Sequence, residues 1–250
     1  MWRALPGILF LLSHVAAAHS SEPGGPGPAD IVPVGGPLRL ESVREQCIEF
    51  SMVDRKDLAD CRVSEFGEIG TVGDAIYYYA IYCMVPQHGL DRDCLGDSPS
   101  YHRVAAAVFT GLRSSPTVRL LLERATSDIG LFRFEKPEIV RRDGATLLYV
   151  PITLDGTGHG NMSEYYVRER RKWRRIESNA WVAQLQKKIP PEFDIRKGVW
   201  PDLHTMTAEV PLYGAGDANC CPSAAYARVR LSIEDRRFVI KSVTVESVRE

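Results

Sequence analysis

Residues 61–85 read CRVSEFGEIGTVGDAIYYYAIYCMV, two segments rich in strand-forming residues on either side of a turn-forming cluster, Gly70–Asp74. Val, Ile, Phe and Tyr favour extended backbone, whereas Gly and Asp favour turns. The pattern predicts a β-hairpin. Because side chains alternate along a strand, Tyr77 and Tyr79 are expected on one face and Tyr78 on the other. Packing in a core explains these tyrosines better than a carbohydrate-binding platform does.

Outward from this hairpin, a strand–loop–strand–turn–strand order occurs three times. Its predicted strands cover residues 75–84, 101–110 and 116–123, then 145–154, 163–168 and 173–177, then 209–213, 225–233 and 237–246. Short strands joined by turns are typical of antiparallel meanders. The spacing is too irregular for a true repeat.

One helix is predicted after the second unit. Trp181, Leu185 and Ile189 lie four residues apart and share a helix face. Ser178 is a suitable N-cap, and two consecutive prolines after Ile189 end the pattern. A second short helix is predicted within 40–50. The predicted class is therefore α+β, mainly antiparallel β-meanders with one or two short helices, stapled by disulfides.

The N-terminal residues predict export rather than structure. Residues 1–18 combine a positive charge, a short apolar segment and the cleavage site Ala16–Ala18, as a signal peptide does. Residues 19–37 contain ten Gly or Pro among nineteen residues, which predicts a disordered linker. A single β-rich domain is expected over 38–250, with two subdomains divided near 125–137 as the alternative.

Composition narrows the function classes. Lys and Arg total 31 and Asp and Glu total 32, so the net charge of −1 gives no overall attraction to nucleic acid or anionic membranes. No run of 18 apolar residues is present, so the sequence predicts no membrane-spanning helix. Arg outnumbers Lys 24 to 7, a bias typical of GC-rich genomes. With the signal peptide, this predicts an exported bacterial protein, periplasmic or extracellular.

Six cysteines in an exported chain predict disulfide bonds. Their spacing favours the local pairs Cys47–Cys61 and Cys83–Cys94, and the chain-entropy model gives each closure roughly 3 kcal/mol of stabilisation. An alternative joins Cys61 to Cys83, because both lie equally far from the centre of the predicted hairpin turn.

The other two cysteines, Cys220 and Cys221, lie in GDANCCPS, residues 216–223. Each of these cysteines can bond a different partner and so tie two segments to one loop. If the local pairs form, however, Cys220 and Cys221 have only each other. Adjacent cysteines join in an eight-membered ring that strains the backbone, and strained disulfides tend to be labile or regulatory. The simpler interpretation is a disulfide-anchored turn in which Asp217 and Asn219 bond nearby amides. A third is a metal–thiolate site completed by Asp217 or a distant His, although the usual C-x-x-C spacing is absent.

The segment KGVWPD, residues 197–202, precedes this motif, and a polar–apolar strand follows it. Together they resemble a segment shared by uncharacterised bacterial exported proteins, and the resemblance runs from YYVRERRKW (165–173) to the end of the chain. It implies an exported β-rich domain. It implies no activity and assigns no role to any residue.

A basic run separates two of the predicted strands. Its members are Arg168, Arg170, Arg171, Lys172, Arg174 and Arg175. Such a run can bind phosphate, lipid headgroups or an acidic wall polymer. The alternative is a charged hairpin tip that keeps an edge strand soluble.

Two weaker candidates complete the set. The glycines of DGTGHGN (155–161) can let backbone amides approach a ligand, with His159 as a base or metal ligand, but such loops are mostly connectors. The block Gly96–Ser98 is similar to the nucleophile block of GDS-type esterases. That family also needs Asp-x-x-His, and here His204 follows Asp202 one residue too soon.

These observations predict an exported envelope protein, a non-enzymatic binding or structural factor with no cofactor and no metal. Its expected partner is an envelope protein or an anionic wall polymer, with no nucleic acid and no membrane span. The first alternative is a redox-active or metal-binding protein that uses Cys220 and Cys221. The second is an envelope hydrolase that uses Ser98 or His159.

Overall fold

The computed structural model describes residues 34–48, 61–84, 103–125, 132–154 and 160–247. The predicted signal peptide lies outside these ranges, and so does most of the predicted linker. Three candidate residues also lie outside the described residues: Cys94, Ser98 and His159. Within the ranges described, no helix is long and apolar enough to cross a membrane.

The described residues are mostly antiparallel strands, with two short helices. The first half comprises β1 (Val34–Arg39), α1 (Leu40–Glu45), β2 (Cys61–Val72), β3 (Ala75–Met84), β4 (Arg103–Leu112), β5 (Thr117–Ala125) and β6 (Phe132–Phe134). The second half comprises β7 (Glu138–Arg142), β8 (Ala145–Val150), β9 (Ile152–Leu154), β10 (Gly160–Asn161), β11 (Glu164–Glu169), β12 (Lys172–Ile176), α2 (Ala180–Gln186), β13 (Thr207–Leu212), β14 (Ala225–Glu234) and β15 (Arg237–Ser247).

These strands form four antiparallel sheets. Sheet I has the order β1-β5-β4-β3-β2, sheet II the order β12-β11-β8-β7, and sheet III the order β13-β14-β15. A small sheet, β10-β9-β6, lies where β8 passes into β9 at Pro151. The strand predicted over 145–154 is therefore two strands, because proline has no N–H to donate to a sheet.

Sheet I alternates its side chains between two cores, as the tyrosine run predicts. Tyr77 and Tyr79 pack in the core shared with sheet II. Tyr78 packs on the opposite face, together with Ala80 and Tyr82 and the only buried residue of α1. Burial on both faces explains why β3 is apolar along its whole length rather than at alternate positions.

Sheet II is buried on both faces. Leu148 and Tyr166 face the core shared with sheet I, whereas their neighbours Leu147 and Tyr165 face a second core. That second core is shared with sheet III and with Trp181 and Leu185 of α2. The change from sheet I to sheet II falls between Ala125 and Glu138, where the alternative division into subdomains was expected.

The first hairpin has a register that its sequence did not predict. Val72 pairs with Ala75, so the turn is Gly73-Asp74, and β2 has bulges at Ser64 and Ile69. Each bulge adds an unpaired residue and shifts the pairing that follows. The cysteine at the start of β2 consequently lies opposite Met84, and Cys83 lies opposite Arg62.

The disulfides follow from this register. Cys61 bonds to Cys47, with their Cα atoms 5.9 Å apart, as the local spacing predicted. The alternative Cys61–Cys83 pair is wrong, because Cys61 is bonded to Cys47. The turn at Gly73-Asp74 also lies beyond the middle of the predicted cluster, which leaves Cys61 and Cys83 one position out of register. Cys83 is disulfide-bonded as well, and Cys94, the partner that the spacing favours, lies outside the described residues.

Two predicted boundaries require correction. Residues 34–37, which were predicted to belong to the linker, are part of β1, which pairs with β5 and extends sheet I. Helix α2 has Asn179 rather than Ser178 at its N-cap, and its first amides are capped from outside the helix. The carboxylate of Glu177 accepts hydrogen bonds from the backbone N–H groups of Asn179 and Ala180.

One charged group is buried between sheets I and II. The Glu164 carboxylate, 7% exposed, pairs with the guanidinium of Arg124 at 2.8 Å and lies 3.6 Å from that of Arg175. It also accepts a 2.5 Å hydrogen bond from the Tyr166 hydroxyl. The group joins β5 of sheet I to β11 of sheet II by charge as well as by packing.

Replacing Glu164 with Gln removes the negative charge that two arginines face. Loss of one partner from a buried ion pair leaves the other uncompensated, so the free energy of unfolding should fall by about 2 kcal/mol. Urea denaturation followed by circular dichroism measures the change. Glu169→Gln on the same strand is the matched control and should change it by less than about 0.5 kcal/mol, since Glu169 is exposed. Equal losses in the two variants would contradict a role for burial.

Candidate functional site

The segment 214–223 connects Tyr213, at the end of sheet III's first strand, to the start of β14, and is called the disulfide loop here. It contains the GDANCCPS motif. Cys220 and Cys221 are bonded to each other, and both residues are exposed. Of the pairings that the sequence left open for these cysteines, the structure therefore has the vicinal one.

Asp217 organises the loop from within. One of its carboxylate oxygens accepts hydrogen bonds from the backbone N–H groups of Gly214, at 2.8 Å, and Ser223, at 3.0 Å. The other accepts one from the Ser223 hydroxyl at 2.6 Å. These hydrogen bonds lower the pKa of Asp217 because they favour the charged carboxylate, and the bond from the Ser223 hydroxyl has the largest effect. Asp217 thus has the turn-forming role predicted for it.

Two residues from elsewhere hold the loop on the body of the protein. Arg196 donates to the carbonyls of Asp217, at 2.8 Å, and Gly214, at 3.3 Å. Its guanidinium lies 5.2 Å from the ring centre of buried Tyr213, whose hydroxyl donates to the Asn219 carbonyl at 3.1 Å. Asn219 therefore contributes its backbone to the loop's support, whereas a role for its side-chain amide was expected.

A third contact joins the two parts of the C-terminal motif. The Lys197 ammonium donates to the Cys220 carbonyl at 2.8 Å. Lys197 is the first residue of KGVWPD, so this segment and GDANCCPS form one site although 13 residues separate them. Arg196 is paired with Asp194 at 3.3 Å. Lys197, by contrast, has no carboxylate partner among the described residues, and its ammonium lies next to the backbone of Cys220.

A groove of about 430 Å³ lies beside the loop, between α2 and residues 195–199. Val182 and Ala183 are the apolar residues of the wall formed by α2, and Ile195 and Val199 are those of the other wall. Lys197 also lines the groove, so a single residue belongs to the groove and is bonded to the disulfide loop.

The walls of the groove are fixed by side-chain amides. Gln186 of α2 donates to the Phe193 carbonyl and accepts from the Ile195 N–H, at 3.1 Å each. Asn161 donates to the Val199 carbonyl and accepts from the Ser163 N–H. Because these bonds tie separate segments together, the groove is formed before any ligand arrives.

The basic run is divided between structure and solvent. Arg168 donates to the Tyr77 hydroxyl at 2.9 Å and lies over the Trp173 ring, so it links sheet II to sheet I. Arg175 faces buried Glu164, and Arg174 lies 3.9 Å from the Glu169 carboxylate. The exposed members are Arg170, Arg171 and Lys172.

These exposed residues surround a two-residue hairpin turn. Arg170 and Arg171 have φ angles of 46° and 74°, in the left-handed region that favours glycine. The predicted patch of six cations is therefore a tip of three, and the charged-hairpin interpretation fits it better.

The other candidates are not brought to this site. His204 is exposed and pairs with Glu138 of β7 at 2.7 Å. Ser98 and His159, on which the hydrolase hypothesis depends, lie outside the described residues. Among the described residues no group of three or more His, Cys, Asp or Glu side chains could hold a metal ion.

Sequence reasoning found the disulfide motif but missed the residues that support it. Arg196 and Tyr213 lie in no sequence motif that indicates a supporting role. The groove is formed by segments that are far apart in the chain. The signal that was available is the basic pair Arg196-Lys197 at the start of KGVWPD, since cations there can reach carbonyls of a neighbouring loop.

Comparison with protein-family models, with curated proteins and with solved structures gives no match for this chain. What the protein does is therefore inferred from the geometry of the disulfide loop and its neighbours.

Replacing Asp217 with Ala removes the acceptor for two loop amides, those of Gly214 and Ser223. We expect these amides to exchange with solvent about tenfold faster than in the unmodified protein at the same pH, while the disulfide stays formed. Hydrogen exchange followed by NMR measures this. Glu192→Ala, which removes another exposed acid from the C-terminal half, should leave both rates unchanged.

The lowered pKa of Asp217 also gives the loop a pH dependence. A carboxyl group whose pKa is lower in the folded state stabilises the folded protein at pH values above its unfolded pKa, about 3.9. This stabilisation is lost as the pH falls through the lower pKa of the folded state. The Gly214 and Ser223 amide resonances should therefore shift together below the ordinary Asp range. A midpoint at or above 3.9 would contradict the carboxylate's role.

Proposed function

We propose that this is an exported protein of the bacterial envelope whose functional site is the disulfide loop, and that it acts by reversible reduction of the Cys220–Cys221 bond. The observation that carries the proposal is that an exposed disulfide lies on a loop whose shape is held by other bonds. Export is supported by the leader and cysteine patterns of the sequence, and by the likeness of the C-terminal segment to exported proteins.

Three properties favour reactivity at this bond. Both sulfur-bearing residues are exposed, so a thiolate can approach. Adjacent cysteines close an eight-membered ring, which disfavours the oxidised form relative to an unconstrained disulfide. The Lys197 ammonium, bonded to the Cys220 carbonyl, favours a nearby thiolate over a thiol.

The bond contributes little to the fold, which is what a reversible reaction requires. In the chain-entropy model, a link between neighbours contributes about 1 kcal/mol, whereas the Cys47–Cys61 link, which spans 14 positions, contributes about 3 kcal/mol. Asp217, Arg196 and Tyr213 hold the loop without involving either sulfur.

A second candidate function is non-enzymatic binding of an envelope protein or an anionic wall polymer. The observation that favours it is the turn at Arg170 and Arg171, which presents two cations at a backbone conformation that costs roughly 1 kcal/mol per residue. Only three of the six basic residues are free to serve such a partner, so this candidate ranks below the disulfide loop.

Titration with dithiothreitol tests the proposed reduction. We expect Cys220 and Cys221 to become reactive to a thiol label at reductant concentrations that leave Cys47 and Cys61 bonded, with the far-ultraviolet circular dichroism unchanged. Peptide mass spectrometry identifies the labelled residues. Labelling of all cysteines in one step, together with loss of structure, would show that the vicinal bond is only a structural staple.

Paired serine variants provide the matched control. Cys220→Ser with Cys221→Ser should lower the free energy of unfolding by about 1 kcal/mol, and Cys47→Ser with Cys61→Ser by about 3 kcal/mol. Urea denaturation measures both. A loss in the vicinal variant as large as in the long-range one would contradict the separation of the disulfide from the fold.

A further inference from the structure

The groove beside the disulfide loop assigns a substrate class to the redox site. We infer that the groove binds the thiol that reduces Cys220–Cys221, and that this thiol carries a carboxylate group recognised by Lys197. The inference rests on the proposed redox function and goes further, because it names the residue that determines specificity and the chemistry of the partner.

The position of Lys197 is the first step. Its ammonium contacts the Cys220 carbonyl at 2.8 Å, and Lys197 is one of the residues that line the groove. An ammonium has three N–H donors, of which this contact uses one. A ligand in the groove can therefore be held by the residue that is bonded to the backbone of Cys220, which brings the ligand's thiol toward the vicinal disulfide.

The charge of the groove is the second step. Lys197 is the charged residue in its lining, and its chain neighbour Arg196 is paired with Asp194. The amides of Gln186 and Asn161 are bonded to backbone groups of the walls. The charge that a ligand meets is thus positive, which favours a carboxylate over a neutral or cationic group.

The shape of the groove is the third step. A volume of about 430 Å³ lies in the range of sites for small organic ligands, and each wall contributes apolar residues beside its polar ones. Val182 and Ala183 on one side face Ile195 and Val199 on the other. An acidic thiol of the size of a short peptide fits this combination better than a bare two-carbon thiol, which leaves the apolar walls without contact.

The reaction is a thiol–disulfide exchange. A substrate thiolate attacks one sulfur of the vicinal bond, that bond breaks, and a mixed disulfide forms while the other cysteine leaves as a thiolate and takes a proton from solvent. A second substrate thiolate then attacks the mixed disulfide. Two substrate thiols are oxidised to one disulfide, and Cys220 and Cys221 are reduced to two thiols.

Rates of reduction test the role of Lys197. The probes are 3-mercaptopropionate and 2-mercaptoethanol, which differ by a carboxylate, compared at equal thiolate concentration and low salt. We expect the carboxylate probe to react roughly threefold to tenfold faster, and Lys197→Gln to abolish this preference. Lys188→Gln, at an exposed lysine just beyond α2, is the matched control and should keep it.

A second pair of variants tests the groove itself with glutathione, an acidic tripeptide thiol, as the probe. Ala183→Trp places a large side chain in the lining and should slow glutathione more than 3-mercaptopropionate. Gln184→Trp, on an exposed part of the same helix, should slow neither. Circular dichroism confirms that each variant is folded.

The possible outcomes distinguish a failure of the inferred substrate class from a failure of the proposed redox function. If no probe reduces the vicinal bond of the folded protein, the proposed redox function itself fails. If all probes reduce it at equal rates per thiolate and neither Lys197→Gln nor Ala183→Trp changes this, the redox function stands and the inferred substrate class is overturned. A carboxylate preference that survives Lys197→Gln also overturns the assignment to Lys197.

Discussion

The rest of the structure depends on a single constraint, which is that sheet II is buried on both faces. Adjacent residues such as Tyr165 and Tyr166 belong to different cores, so a shift of one position in β11 would exchange every side chain between them. Register is therefore strongly specified in this sheet. Sheets I and III take their positions from its two faces, and the buried Glu164 group fixes the contact with sheet I.

The candidate site depends on the contact between sheets II and III. Helix α2 covers the core between sheets II and III through Trp181 and Leu185, and this places its exposed side against residues 195–199. The groove lies in that gap. The disulfide loop leaves sheet III next to it and is held there by Arg196 and Lys197. The core thus supports a loop that Asp217, Arg196 and Tyr213 hold through hydrogen bonds.

Local pattern was enough to predict much of the fold, because alternation and turn chemistry act over a few residues. It gave the strand faces of Tyr77 to Tyr79, the helix around Trp181, and the role of Asp217 in its turn. It could not give features that depend on distant partners. The bulges of β2 and the support from Arg196 arise only when separate segments meet.

The turn at Arg170 and Arg171 places two arginines at positive φ, and this affects how the same position is interpreted in homologous sequences. Asn-Gly would form the same turn without the steric cost of two arginines at positive φ, so folding alone gives no reason to keep them. Drift under selection for stability would replace the pair quickly. Where homologous chains retain two basic residues at this turn, their persistence would mark selection on surface charge. Where they carry Asn-Gly instead, the tip serves only to reverse the chain.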